Sequence, residues 1–274
     1  MRRKITIIVL AIVGLSLLVS AMALSGLKQQ KQALTELERA AQNGVPVESF
    51  PMTDLSTQRS MALASKSDTN RQARNKRFNI TGLPQNQVAR FALPKYDNPN
   101  SNSVSLGSPP PHSPVEPALP ISQSDLIIIG KVTDAQAYIS EDETSIYSEF
   151  TIGIEHTLKA RASLNIPSAT QVIATRYGGR LRLPSGKVLL HGLSGKTMPL
   201  AGRRYVLFLK FNKEGEDFTI VTGYELTAGK VAPLDGNTRL KEGKYRQYKE
   251  YDQFYGVDEQ SFLNQVQIAI VNDP

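Results

Sequence analysis

The sequence predicts a mainly β domain, a single barrel or small sandwich with a C-terminal helix, behind an N-terminal transmembrane helix and a long unstructured linker. Three observations predict it. Residues 5–27 (ITIIVLAIVGLSLLVSAMALSGL) run for about 23 positions without a charge, and about 20 helical residues suffice to cross a bilayer's hydrocarbon. Residues 45–123 show neither helical nor strand periodicity and are rich in Ser, Asn, Gln, Pro and Arg. From Ser124 onward, short β-branched or alternating runs are separated by turn residues.

The N-terminal segment, 1–27, sets an address. Arg2, Arg3 and Lys4 precede the apolar run, and a positive flank stays on the cytoplasmic side. The expectation is a single pass through the cytoplasmic membrane with the C-terminal domain outside. The alternative is a cleaved signal and a secreted or periplasmic product, since Ala21-Met22-Ala23 offers an A-x-A site. Two features favour the anchor. The run is long for a signal peptide, whose apolar part spans roughly 7–15 residues. It also continues into a helical pattern over 28–44, closed by Asn43-Gly44 as a C-cap. A lipid anchor on cysteine is excluded, because the chain has no Cys. Zero Cys also excludes disulfides and thiolate metal sites, so the fold rests on packing.

The net charge of +7 is unevenly placed. Before Asp125 there are roughly fourteen Lys/Arg against seven Asp/Glu, and from Asp125 onward roughly eighteen against eighteen. The C-terminal half is therefore neutral, and no nucleic-acid partner is expected for it. Within the linker, residues 70–78 (NRQARNKRF) form a basic cluster, read as solvated spacer charge or as a polyanion or partner contact. Pro111, Pro114, Pro117 and Pro120 recur every third residue, which lines one edge of a polyproline II rod. A rigid spacer is the simpler reading, and a docking motif the sharper one.

The domain spans 124–274. Residues 126–132 (LIIIGKV) read as a buried strand. After a turn at 140–144, Ile146, Ser148, Phe150, Ile152 and Ile154 alternate with Tyr147, Glu149, Thr151 and Glu155, the pattern of a half-buried strand. Further strands are expected at 170–177, in a hairpin over 181–190 turning at Pro184-Ser185-Gly186, and at 204–211, 218–222, 224–226 and 230–233. A helix over 258–271 is capped by Asp258, with Phe262, Leu263, Val266, Ala269 and Ile270 as its apolar stripe.

Candidate chemistry does not survive inspection. Gly195-Lys196-Thr197 lacks the glycine of a phosphate loop, because Leu190 stands where it belongs. His191-Gly192-Leu193-Ser194-Gly195 lacks the residue a nucleophile elbow needs between Ser and the second Gly. His112, His156 and His191 are not at metal-ligand spacing; His156 follows Ile154 in strand parity and is expected to pack. Glu141, Asp142 and Glu143 read as a solvated turn, without a calcium loop's alternation or glycine, and Glu214, Glu216 and Asp217 are likewise read as a solvated turn. Residues 241–255 interleave bases with Tyr245, Tyr248, Tyr251, Phe254 and Tyr255. That pattern fits aromatic platforms for single strands or sugars, or helical packing against the domain, and packing is favoured. No catalytic, cofactor-binding or metal-binding residue is assigned, and no cofactor is expected.

The runs SDLIIIGKV and YSEFTIGIEHTLK, a Gly-rich turn, then LAGRRYVLFLK and VTGYEL resemble a bacterial family of uncharacterised exported or membrane-anchored proteins. They are also similar to netrin-like and tissue-inhibitor modules built on OB-type barrels. The resemblance covers roughly 121–234 and implies an OB-like barrel. Its motifs are strand signatures and imply no activity. Those inhibitor modules reach a protease's zinc through an N-terminal cysteine, which this chain lacks, so that function is not implied. The expectation is a membrane-tethered extracytoplasmic binding or interaction module without catalytic activity. It would meet the membrane through its N-terminal helix, and an extracytoplasmic protein or envelope polymer through its domain. The alternatives are a cell-envelope hydrolase with dispersed carboxylates, or a polyanion-binding protein.

Overall fold

A computed structural model describes residues 50–54, 68–80, 104–107, 117–164, 171–184, 186, 188–193, 195–236, 251 and 253–273. The expected transmembrane segment 1–27 and juxtamembrane helix 28–44 lie outside them, as do Pro111, Pro114, Tyr245 and Tyr248. Among the described residues, no helix is long and apolar enough to cross a membrane.

The protein is mainly β with a C-terminal helix. Its elements are β1 (Met52–Asp54), α1 (Thr69–Arg77), β2 (Val104–Gly107), β3 (Leu126–Ile139), β4 (Ile146–Ala160), β5 (Gln171–Tyr177), β6 (Gly179–Arg182), β7 (Val188–Leu193), β8 (Arg204–Asn212), β9 (Asp217–Thr227), β10 (Lys230–Pro233) and α2 (Glu259–Val271). Every run expected to be a strand after Ser124 is one, although the two runs at 218–222 and 224–226 are a single strand, β9.

In the larger sheet β3 pairs antiparallel with β4 and β8, β4 with β5, and β9 with β8 and β10. The pairing of β5 with β9 is parallel. A second sheet runs β1-β6-β7-β2, with β6 and β7 antiparallel and the outer two strands parallel to their neighbours. Gly186 lies at φ 81°, and its N–H donates to Leu183 O at 2.8 Å, so the expected hairpin turn is made.

Strand parity places the core. Leu126, Ile128 and Val132 of β3, Phe150 and Ile152 of β4, and Tyr205, Leu207 and Leu209 of β8 share one cluster, with Phe50 and Phe218. The opposite side chains of β3 and β8, Ile127, Ile129, Val206 and Phe208, pack under α2 and the turn before it, against Phe262, Val266, Tyr251 and Phe254. The α2 stripe is as expected, with Phe262 and Val266 buried and Leu263, Ala269 and Ile270 partly so. Asp258 caps the helix by accepting from Ser261 N at 3.1 Å. Tyr251 and Phe254 of the tyrosine-rich stretch are packing residues: Phe254 meets Tyr224 edge-on at 5.5 Å and Phe262 at 5.2 Å. Tyr255 is exposed.

Where β3 crosses β4 the backbones come close. A Cβ on Gly130 would stand 2.8 Å from Ile152 Cγ2 and 2.9 Å from Gly153 O. Because one of those atoms is backbone, Gly130→Ala is expected to cost about 1–3 kcal/mol by overpacking, read as a lowered denaturant midpoint at unchanged slope.

Two expectations are corrected. His156 is exposed, not packed. Gly130 pairs with Ile154 but Ile129 with His156, so Glu155 is an extra residue in the ladder and reverses parity at His156 and Thr157. The second concerns the linker. Within 45–123, expected to be unstructured, the structure places β1, α1, β2 and the docked approach from Pro117 to Ser124. Phe50 is buried in the core, Arg180 Nε donates to its carbonyl at 2.7 Å, and Tyr224 Oη donates to Ala118 O. Pro120 is buried, so the end of the proline series is packing rather than spacer.

Candidate functional site

The basic cluster at 70–78 is the helix α1, and it lies on the outward face of β4 and β5. Its apolar content is too low for a hydrophobic stripe to have foretold it. Asp68 caps it by accepting from Arg71 N at 2.9 Å, and Arg74, Lys76 and Arg77 fill its last turn, where the helix dipole favours cations. Nine residues are too few to be helical alone in water, so the helix depends on what it touches.

What it touches is acidic and aromatic. Arg74, only 3% exposed, donates from Nε to Glu149 Oε1 at 2.9 Å and from Nη1 to Gly215 O at 2.8 Å. Arg71 Nη2 stands 3.2 Å from the other oxygen of Glu149, and its guanidinium lies 4.2 Å from the centre of the Tyr138 ring. Arg77 grips Asp217 with both nitrogens, at 2.8 and 2.5 Å, and gives a further bond to Thr175 Oγ1 at 2.8 Å. Phe78 stacks flat on Tyr147 at 4.3 Å, and the Tyr147 hydroxyl donates to Asn75 Oδ1. Arg71, Arg74 and Arg77 are spaced by three, which puts them along one side of a helix.

The loops on either side complete the seat. In the β3–β4 turn, Asp142 N donates to Asn79 Oδ1 at 3.1 Å, and Thr144 Oγ1 accepts from Ile80 N at 3.1 Å. In the β8–β9 turn, Glu216 accepts from Asn70 Nδ2 at 2.9 Å. The expectation of solvated turns thus holds for Glu141 and Glu143 and fails for Asp217, which is fully buried under Arg77. The expected half-buried alternation of β4 fails for the same reason. Tyr147 and Glu149 point outward, yet α1 covers them, so Ile146 to Phe150 is buried throughout.

The electrostatics match the geometry. Burial pulls the Arg71 guanidinium down, but Glu149, Tyr138 and Tyr147 together more than reverse this and leave it above the ordinary arginine value. Burial, reinforced by Glu149, pushes the Tyr147 phenol well above the ordinary tyrosine range, so it stays protonated and donates.

Close approach at the β8–β9 turn requires glycine. A Cβ on Gly215 would meet Arg74 Cγ at 2.8 Å and Asp217 Oδ1 at 2.5 Å. Gly215→Ala is expected to weaken the seating of α1 by about 1–3 kcal/mol without removing any charge, seen as faster amide exchange in 69–77.

The other candidates resolve into structure. Lys196 Nζ lies 3.3 Å from Asp235 Oδ2 and from Val221 O, and Thr197 Oγ1 donates to Leu234 O, so Gly195-Lys196-Thr197 is a turn inside the domain. Asp235 is buried and receives Arg176 Nη2 on both oxygens at 2.5 Å. Burial alone would raise its pKa, but Arg176 and Lys196 hold it below the usual carboxylate range. His191 is fully buried and hydrogen-bonded to the Tyr177 hydroxyl through Nε2. Among the described residues, no group of three or more His, Cys, Asp or Glu is placed to hold a metal ion. No protein-family model matches the chain, and no curated protein matches it.

Proposed function

We propose that this chain is a membrane-tethered extracytoplasmic binding module, built on an OB-like barrel. The observation that carries the reading is the seat of α1. The outer face of β4 and β5 holds a peptide segment through charge and aromatic complementarity, with both flanking loops contributing. Support for the barrel comes from the pairing order. From β3 through β4, β5, β9 and β8 the ladder returns to β3, and its only parallel step is β5 with β9. In OB-type barrels the second and third strands and the loops beside them form the ligand face, and β4 and β5 are the second and third strands of this ladder.

The apolar run and its basic flank supply the address. With Phe50 in the core, only about 22 residues separate the end of the run from the domain. At 3.3–3.6 Å per residue that holds the domain within about 80 Å of the membrane. A polyanion is a poorer partner than a cationic one, because the arginines of α1 already face Glu149 and Asp217.

Photo-crosslinking of the full chain in intact cells tests this, with probes at Lys213 and Glu214 beside the seat and protease added from outside to read orientation. A discrete adduct and external cleavage of the domain are expected. No adduct, together with turnover of envelope polymers by the purified full chain, would instead make it a hydrolase.

A further inference from the structure

We infer that the β4–β5 face is a binding site for arginine-rich helical peptides, and that α1 is its built-in, displaceable occupant. The inference rests on the binding-module reading and names the ligand class of the same face. Three features of α1 set it apart from an ordinary packed helix.

The first is the chemistry of its contacts. Its three arginines sit at three-residue spacing and meet two carboxylates buried by them, Glu149 and Asp217, with Tyr138 and Tyr147 as ring partners. A face that holds its own helix by guanidinium forks and ring stacking holds another polypeptide's by the same groups. With α1 removed, those carboxylates lose their cations, which selects a positively charged replacement over a neutral or acidic one.

The second is the weakness of the helix alone. Nine residues form no stable helix in water, so leaving the face exchanges an ordered segment for a solvated one and recovers chain entropy. The third is reach. Thirteen residues separate Asp54 from Asp68 and 23 separate Ile80 from Val104. At about 3.3 Å per residue, connections of that length extend to at most about 45 and 80 Å, which bounds how far α1 can move while β1 and β2 keep their places beside β6 and β7.

The specified ligand is therefore a helix carrying arginine at i, i+3 and i+6 with an aromatic residue after the last, the pattern Arg71, Arg74, Arg77, Phe78. Occupation by α1 lowers the apparent affinity for such a helix by the fraction of time the face is covered. This makes α1 a threshold: a partner must match its chemistry and exceed its local concentration.

The test uses a fluorescent peptide of residues 68–80 added in trans to two full-length chains, the wild type and Arg71→Gln/Arg74→Gln/Arg77→Gln. Fluorescence anisotropy is expected to show saturable binding to the triple variant, and binding about tenfold or more weaker to the wild type, whose face is covered. Adding Glu149→Gln and Asp217→Asn to the triple variant is expected to abolish it. Equal binding to wild type and triple variant, or no binding to a triple variant that keeps its β-sheet circular dichroism and its cooperative melt, would overturn the inference. Should the triple variant not fold, amide exchange of the wild type decides: excess peptide is expected to accelerate exchange within 69–77, and no acceleration at saturating peptide would overturn it. A crosslinked partner elsewhere on the domain with no peptide binding would leave the binding module standing and remove this inference alone.

Discussion

Arg176→Ala is expected to destabilise the protein by about 3–5 kcal/mol, the cost of stranding one member of a buried ion pair. Total stability for a domain of this kind is about 5–15 kcal/mol, so the midpoint of thermal unfolding should fall by on the order of 10 °C. Asp235 is 1% exposed and lies two residues beyond the end of β10. Lys196 at 3.3 Å remains, but it is a single, longer contact in place of a two-oxygen fork at 2.5 Å. The sign of the pH dependence follows from the lowered Asp235 pKa. A carboxyl depressed in the folded state contributes stability that is complete above its unfolded value of about 3.9 and is lost as pH falls through the folded value. Without Arg176, burial dominates and the carboxyl titrates higher, so the variant's deficit should shrink as pH falls toward 4. Denaturant melts of both chains between pH 4 and 8 measure it. A deficit that does not vary with pH would show that packing around Arg176, not its charge, sets the effect.

Arg74→Ala breaks a pair of similar burial and is expected to behave differently. The side chains are 4% and 8% exposed, and the Nε to Oε1 distance is 2.9 Å. If α1 stayed in place, Glu149 would be left with only Arg71, at 3.2 Å, and the penalty would again approach 3–5 kcal/mol. Here the helix can leave, Glu149 recovers water, and the loss is limited to the seating free energy of α1. The global cost should therefore be at or below about 3 kcal/mol, the lower end of that range, while exchange in 69–77 rises to that of an unstructured segment. The double variant Arg74→Ala/Glu149→Ala separates the pair from its surroundings. Recovery of stability beyond Arg74→Ala alone is expected, since α1 can then seat again without burying the Glu149 carboxylate.

The β domain was legible because its strands alternate or run apolar over lengths a strand requires. β3, β8 and β9 carry that pattern, and α2 carries both its Asp258 cap and its Phe262–Val266 stripe. All the errors but one share a cause, which is partners distant in sequence. α1 has no apolar periodicity, and its signal is a set of charges answered by Glu149 and Asp217, 75 and 140 residues away. Nothing local in NRQARNKRF states that such carboxylates will face it. The one available hint was the spacing of Arg71, Arg74 and Arg77, which is that of a helix face. The burial of Tyr147 and Glu149 follows from α1 and was hidden with it. His156 was misplaced by the extra Glu155 in the ladder, since an inserted residue reverses the inward and outward assignments that follow it until the next irregularity. Phe50 shows the same limit, as one aromatic residue in a polar stretch belongs to a core assembled far downstream.

The basic segment at 69–77 is a helix seated on the β4–β5 face rather than free linker. Amide hydrogen exchange of the full-length wild-type chain is the decisive measurement. Residues 69–77 should exchange many times more slowly than an unstructured peptide of the same sequence, and Arg74→Ala should abolish this protection while β3 and β8 keep theirs. Exchange of 69–77 at the unstructured rate in the wild-type chain would contradict that seating.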